Sequence, residues 1–279
     1  MADKRANQAL RLPWAGRVAL AWLVLVLIVS LFAPYLPVLD AYRQDLLSIL
    51  EAPDAQHWMG TDSLGRDLLA RTLFGLRISV QVGLGAVAFG LAIGGPLGLV
   101  AGYRRGTWDA WISAAMSVIL AFPPLVLALA IIASTGASLA KVIFAMGILF
   151  VPACARLVRA QTLRLVDREF VLAARASGMG DTRILGQEIL PNLLAPLLAY
   201  VPLMVAIAII GEAGLSFLGL SVPVPQPSLG GMISAERSAM AMAPWTVFGP
   251  SIVLFFTILS LNVLGDHWQR RSDRRSSAL

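Results

Sequence analysis

Long runs without formal charge alternate with short basic segments along the chain, and the lengths of those runs set the first expectation. A helix needs about 20 mostly apolar residues to cross a bilayer. Residues 18–35, 78–102, 110–133, 139–157, 193–215 and 245–265 approach or exceed that length, which predicts six spanning helices. Residues 110–140 carry no charge but are too many for one helix, and "STGAS" at 134–138 divides them. Lys141, at the start of the fourth span, can snorkel to the interface. Phe122, Pro123 and Pro124 fall within the third span, where the proline pair predicts a kink. Such a kink fits residues lining a pathway, and it fits plain packing equally.

The expected organisation is an all-α integral membrane protein with six transmembrane helices. A tail over residues 1–17 leads into a first spanning helix at 18–36, and an outer loop with interfacial helices follows at 37–77. A five-helix core covers 78–265, including an inner loop at 156–191 and a second long outer loop at 216–244. Residues 266–279 form a final tail. The basic N-terminus resembles a secretion signal, but "LFAPYLP" offers no small-residue cleavage site, so a retained first span is expected.

Charge gives this arrangement a direction. Only 14% of residues are charged and mean hydropathy is +0.77, roughly half the charge of a soluble domain. A formal charge of +6 would suit a nucleic-acid partner, but position decides otherwise. With the N-terminus in the cytoplasm, the inner segments hold Lys4, Arg5, Arg11, Arg17, Arg104, Arg105, Arg156, Arg159, Arg164, Arg168, Arg175, Arg183, Arg270, Arg271, Arg274 and Arg275, which are 16 of the 22 basic residues. The 37–77 segment sets Asp40, Asp45, Glu51, Asp54, Asp62 and Asp67 against Arg43, Arg66, Arg71 and Arg77, and is net negative. This is the positive-inside pattern. It places both termini in the cytoplasm and removes nucleic acid as the reason for the charge. Trp14, Trp108, Trp111, Trp245 and Trp268 fall near the expected span ends, where indole prefers the interface.

Several chemistries lack their residues. Lys4 follows Asp3 and Lys141 follows Ala140, so no glycine–lysine phosphate-binding loop can form. His57 and His267 are far apart, and Cys154 stands alone in an apolar run. Neither a Ser-His-Asp triad nor a His- or Cys-rich metal site is available, and Cys154 reads as a small buried hydrophobe.

The stretch "LAARASGMGDTRILGQEILPN" at 172–192 interrupts this apolar design. Residues 168–176 favour a helix with a smooth alanine surface. Gly178 and Gly180 would end it, since glycine takes left-handed geometry at little steric cost. A second short helix at 182–189 would lead to Pro191 in the first turn of the next span. The product is a docking knob: small residues let another protein's groove approach closely, and Arg175 and Arg183 can pair with acids. An amphipathic loop held at the lipid surface by its arginines fits the same spacing.

Residues 172–191 resemble the EAA loop of ATP-binding cassette (ABC) importer permeases, whose pattern is E-A-A, three residues, G, nine residues, then I-x-L-P. Ala173, Ala174, Gly178, Leu190 and Pro191 match at that spacing; Leu172 replaces the Glu, and Glu188 takes the usual Ile position beside Ile189. Four further segments resemble the second ("C"-type) subunit of the peptide and nickel branch. They are "HWMGTDSLGRDLLARTLFGLRISV" at 57–80, "GLVAGYRRGTWD" at 98–109, "EAGLSFLGL" at 212–220 and "NVLGDHWQRRSD" at 262–273. The C-terminus, "HWQRRSDRRSSAL", departs from the longer Asp- and Arg-bearing end common in that branch.

The resemblance implies a type I ABC importer permease fold in the bacterial inner membrane, with no catalytic residue on this chain. It implies a homologous second permease subunit, two cytoplasmic ATPase subunits, an extracytoplasmic substrate-binding protein and the lipid bilayer as partners. ATP and Mg would sit in the ATPase subunits, with no cofactor or metal on this chain. Leu172, Ala173, Ala174, Arg175, Ala176, Ser177, Gly178, Leu190 and Pro191 would couple ATPase closure to alternating access. The expected cargo is a di- or oligopeptide, with nickel chelates as the alternative.

Glu212, in "IIGEAGLSF", is the one acid near the interior of an apolar span. An intramembrane carboxylate is costly and is a functional candidate for that reason. Gate stabilisation, substrate contact, proton coupling and simple pairing at a helix end all stay open for it. Together with Phe122 and Pro123 it forms the candidate pathway or gate set. A stand-alone proton-coupled transporter would need more intramembrane ionisable groups and leaves 172–191 unexplained; an intramembrane enzyme lacks a nucleophile–base pair.

Overall fold

The computed structural model describes residues 13–35 and 40–276, so most of the expected N-terminal tail lies outside the described residues. Regular structure there is helical, apart from one isolated bridge between Thr61 and Asp67. The elements are α1 (Trp14–Phe32, with a 3-10 turn at Ala33–Tyr35), α2 (Leu68–Arg104), α3 (Gly106–Leu120), α4 (Pro124–Thr135) and α5 (Leu139–Val166). They continue with α6 (Glu169–Ala176), α7 (Asp181–Phe217), α8 (Leu229–Ala235) and α9 (Trp245–Ser276). Among the described residues, five helices are long and apolar enough to cross a membrane, and six spans result if the bent α3–α4 pair counts as one.

The helices differ from the apolar runs that announced them: α5 and α9 continue past those runs, to Val166 and to Ser276 through most of the expected final tail, and three others differ more. The expected third span is broken rather than kinked, for α3 and α4 meet at 81°. Pro123 and Pro124 lack N–H donors and push the residue before each out of helical geometry, so α3 stops at Leu120 and α4 restarts with Pro124 in its first turn. α2 begins at Leu68, well before the uncharged run. Asp67 caps it by accepting the Ala70 N–H at 2.7 Å, and Arg71 is neutralised within the fold. α7 begins at Asp181, so Pro191 lies inside a continuous helix instead of opening one. A π turn at Ile184–Ile189 precedes it, and the Leu190 N–H reaches Leu185 O. Widening the ladder by one residue relieves the clash that proline imposes on the preceding turn. The Asn192 amide then donates to Glu188 O at 2.7 Å.

The expected interfacial helices of the 37–77 segment are absent between residues 40 and 67. Its acids form turns instead. Asp40, Asp45, Asp54 and Asp62 each accept hydrogen bonds from backbone N–H groups two to four residues ahead, a local bonding that competes with helix.

The chain divides into two compact units, Met1–Gln81 with Glu212–Arg271, and Val82–Gly211 with Ser272–Leu279. In the second, α2 and α5 pack backbone to backbone along Gly90, Gly94, Gly98 and Gly102. A Cβ at Gly94 would stand 2.4 Å from Val151 O, and one at Gly98 2.3 Å from Ala155 O. This is the small-xxx-small packing of membrane helices, where close backbone approach replaces a hydrophobic driving force. In the first unit, Val26 of α1, Leu76 and Val80 of α2, and Leu229 of α8 share a core with Val253 and Leu254 of α9. The Trp22 indole N–H donates to Thr257 Oγ1 at 3.2 Å. The rest of α1 presents exposed Val, Leu and Ile side chains, as a lipid-facing helix does.

Candidate functional site

Residues 168–192 fold into a compact turn on the second unit. Glu169 lies in the first turn of α6 and Arg175 in the last, each at the helix end whose partial charge it complements. Val171 and Ala174, three residues apart, face inward. They join Tyr103, Val166, Ile184 and Ile189 in a small apolar core with Leu99, Leu165, Met179 and Leu185 around it. Each fully buried aliphatic side chain contributes about 1.5–3 kcal/mol where water is the alternative.

Past Ser177 the chain reverses through Gly178, whose φ is +76°. The Gly178 N–H reaches Arg175 O at 3.0 Å and the Met179 N–H reaches Ala174 O at 3.1 Å. These two bonds make a Schellman C-cap, and its left-handed residue is where glycine is needed. Gly180 then caps α7 with an ordinary φ of −69°.

Of the residues expected to couple, Leu172, Ala173, Arg175, Ala176, Ser177, Gly178, Leu190 and Pro191 are exposed, and Ala174 is buried in the small core. A Cβ placed on Gly178, Gly180 or Gly186 would meet no atom within 4 Å. The backbone at these three glycines is therefore open to close approach. Beneath it, the Tyr103 hydroxyl donates to Asp181 Oδ1 at 2.7 Å, and the Arg175 guanidinium lies 5.1 Å above the Tyr103 ring. Arg159 grips Asp109 through two hydrogen bonds of 2.5 and 2.6 Å, and Arg105 pairs with Asp167 at 2.7 Å. Tyr103, Asp109, Arg159 and Asp181 were not singled out from sequence. Their partners are distant along the chain, although "GYRRGTWD" holds two of them.

Glu212 is fully buried in the first unit. Its Oε1 accepts from Ser216 Oγ at 2.6 Å and Ser221 Oγ at 2.9 Å, and its Oε2 accepts from Ser79 Oγ at 2.9 Å. Ser228 Oγ lies 2.7 Å from Ser216 Oγ and accepts the Gly231 N–H at 3.1 Å. With the Gly231 N–H donating, hydroxyl donation can run from Ser228 through Ser216 to the carboxylate. Such convergence of donors suits an ionised carboxylate, which only accepts. Glu212 thus ties α2, α7, the 218–228 segment and the capping residue of α8 together, without an arginine.

A second buried cluster in this unit was not anticipated. Asp62 pairs with Arg66 at 2.7 Å and Arg71 at 3.2 Å, Arg71 also donates to Ala41 O, and buried Glu236 accepts from Ser63 Oγ at 2.7 Å. Phe122 and Pro123, in contrast, stand exposed at the α3–α4 corner, where only their backbones bond: the Phe122 N–H reaches Ile119 O at 3.4 Å and Pro123 O accepts the Leu127 N–H at 3.0 Å.

Among the described residues, helices long and apolar enough for five or six spans define an α-helical integral membrane protein, and a compact turn joins two of its long helices. The chain belongs to the family described as binding-protein-dependent transport system inner membrane component, whose pattern matches residues 94–278, and it is a permease subunit of an ABC importer. It is 40% identical over 255 residues to the dipeptide transport system permease protein DppC of Alkalihalophilus pseudofirmus, covering 90% of this chain and 84% of that one. It is 38% identical over 272 residues to the glutathione transport system permease protein GsiD of Pectobacterium atrosepticum, covering 93% and 90%. Its fold matches that seen in inward-facing conformations of the MetNI methionine ABC transporter, with a TM-score of 0.59, 19% identity, and coverage of 74% of this chain and 96% of the other. Permeases of this family act with ATPase subunits and a substrate-binding protein.

Proposed function

We propose that this chain forms half of a translocation pathway for di- and oligopeptides, including glutathione-like tripeptides, and that ATP-driven motion enters it through the exposed face of α6 and the Gly178–Gly180 turn. The observation that carries the reading is the open space around Gly178, Gly180 and Gly186 on an otherwise tightly bonded turn. A turn open at three glycines and held by its own hydrogen bonds is what a partner's groove requires. Similarity to dipeptide and glutathione permeases along most of the chain supports the cargo.

In this reading a homologous second permease completes the pathway, two cytoplasmic ATPase subunits hold ATP and Mg, and an extracytoplasmic binding protein delivers the peptide. The chain itself hydrolyses nothing and binds no cofactor. Both termini lie in the cytoplasm in this reading, which the distribution of Lys and Arg supports. Closure of the ATPase pair favours one of two arrangements of the helices, and hydrolysis resets it. Glu212 holds the gate-side segments in register through its serine partners, and Phe122 and Pro123 shape the corner of the pathway.

The test is reconstitution in liposomes. Labelled dipeptide and glutathione should accumulate against their gradients only when ATP, both ATPase subunits, the second permease and the binding protein are present. Uphill accumulation by the chain alone would contradict the division of labour.

A further inference from the structure

The coupling turn is attached to its unit in two mechanically different ways. Towards α7, the chain leaves through the π turn at Ile184–Ile189. Helical hydrogen bonding there shifts from i−4 to i−5, and a π turn inside a helix marks a place where the ladder is already adjustable. Towards α2, the attachment is made by Leu99 and Tyr103, of which Tyr103 makes the directional contacts.

Tyr103, in the last turn of α2, has its ring in the apolar core with Val171 and Ala174 of α6 and Ile184 and Ile189 of α7. The ring face lies under Arg175 at 5.1 Å, and the hydroxyl donates to Asp181 Oδ1 at 2.7 Å. Tyr103 therefore grips the turn on both sides of Gly178. Behind it, α2 lies in close backbone contact with α5: a Cβ on Gly94, Gly98 or Gly102 would stand within 2.7 Å of an α5 atom.

We propose that Tyr103 is a positioning residue for transport, the latch that makes displacement of the coupling turn a displacement of the α2–α5 pair, with the π turn of α7 as the compliant joint. This rests on the coupling role proposed above. The hydroxyl–carboxylate bond and the stacked guanidinium fix orientation as well as distance, so the turn cannot rotate beneath a docked partner without carrying α2 along.

The assembled importer provides the test. In a Cys154→Ala background, spin labels on Glu169→Cys in α6 and Ile93→Cys in α2 report a distance within one unit. With Tyr103 in place, that distance should hold constant when the ATPases bind a non-hydrolysable ATP analogue. Tyr103→Phe removes only the hydroxyl, and the same addition should then shift or broaden the distance by about 1–2 Å or more, the scale of helix movements in switching proteins. Asp181→Ala should reproduce the Phe variant, and Asp181→Asn, which keeps an acceptor oxygen, should restore wild-type behaviour. ATP consumed per peptide imported should rise about fivefold or more in the two uncoupled variants, the lower end of ordinary coupling between sites. A wild-type distance response in Tyr103→Phe would overturn the latch while leaving the coupling role intact. Loss of the ATPases from Tyr103→Phe would also overturn it, by assigning the hydroxyl to docking. Failure of the unmodified chain to retain ATPases would instead overturn the coupling role itself.

Discussion

The turn after α6 and the knot around Glu212 draw on the same small residues, and the space around their glycines is opposite. In the knot, a Cβ on Gly230 would stand 2.4 Å from Ala213 O, and one on Gly75 3.2 Å from the Leu229 nitrogen. Those glycines exist because another part of the same unit presses against them. In the turn, Gly178, Gly180 and Gly186 face open space. Only Gly178 has a backbone reason for being glycine, its φ of +76°. Gly180 caps α7 with ordinary backbone geometry, and the open surroundings of Gly180 and Gly186 suit the docking role proposed above. The polar groups divide in the same way: every acceptor of Glu212 is engaged by serine hydroxyls, and Arg183 of the turn reaches only Gln187.

This contrast predicts a graded series. Gly230→Val, which drives a side chain into the Ala213 backbone, should cost about 3 kcal/mol, the upper range for overpacking, seen as a large fall in the thermal midpoint of the detergent-solubilised protein. A near-native midpoint would show that α8 can move away and that the knot is loose. Glu212→Ala should follow at about 2–3 kcal/mol, because it strands buried hydroxyls that cost about 1–3 kcal/mol each when left unsatisfied. Glu212→Gln should be milder in stability yet alter uptake with assembly intact, and unchanged uptake would reduce Glu212 to packing. Gly178→Arg should lose about 1–2 kcal/mol locally for its left-handed backbone, remain inserted in the membrane, and retain less ATPase on co-purification. Gly186→Ala, with room for its methyl group, should stay within about 0.5 kcal/mol of the parent.

Sequence alone revealed the turn because its information is local. Ala173, Ala174 and Gly178 sit within one helix end, and the C-cap they predict is built from bonds spanning a few residues. The break at Pro123 and Pro124 was legible for the same reason, although its size was not, since a proline pair sets where a helix stops but its surroundings set the angle. Local pattern misled where charge was neutralised at a distance. Arg71 lies outside the apolar run, yet α2 includes it, and Asp62, held in a turn of its own, meets its charge. The serines of the Glu212 knot, spread from Ser79 to Ser228, carry no sequence signal of their meeting. The four-residue period of Gly90, Gly94, Gly98 and Gly102 was visible in the sequence, but only the facing backbone of α5 gives it meaning. Pro191 was read as a helix start because its cost was apparent and its remedy, the preceding π turn, was not.

The most direct measurement is ATPase retention by Gly180→Trp. Gly180 has ordinary backbone geometry and no atom within 4 Å of where a Cβ would sit, so a side chain can leave the backbone there without strain and stand on the surface assigned to the partner. Co-purified ATPase should fall about tenfold or more, a loss of at least 1.4 kcal/mol in binding, while the second permease and the thermal midpoint stay unchanged. Full retention of both ATPase subunits would contradict the assignment of this turn as the place where the motor engages.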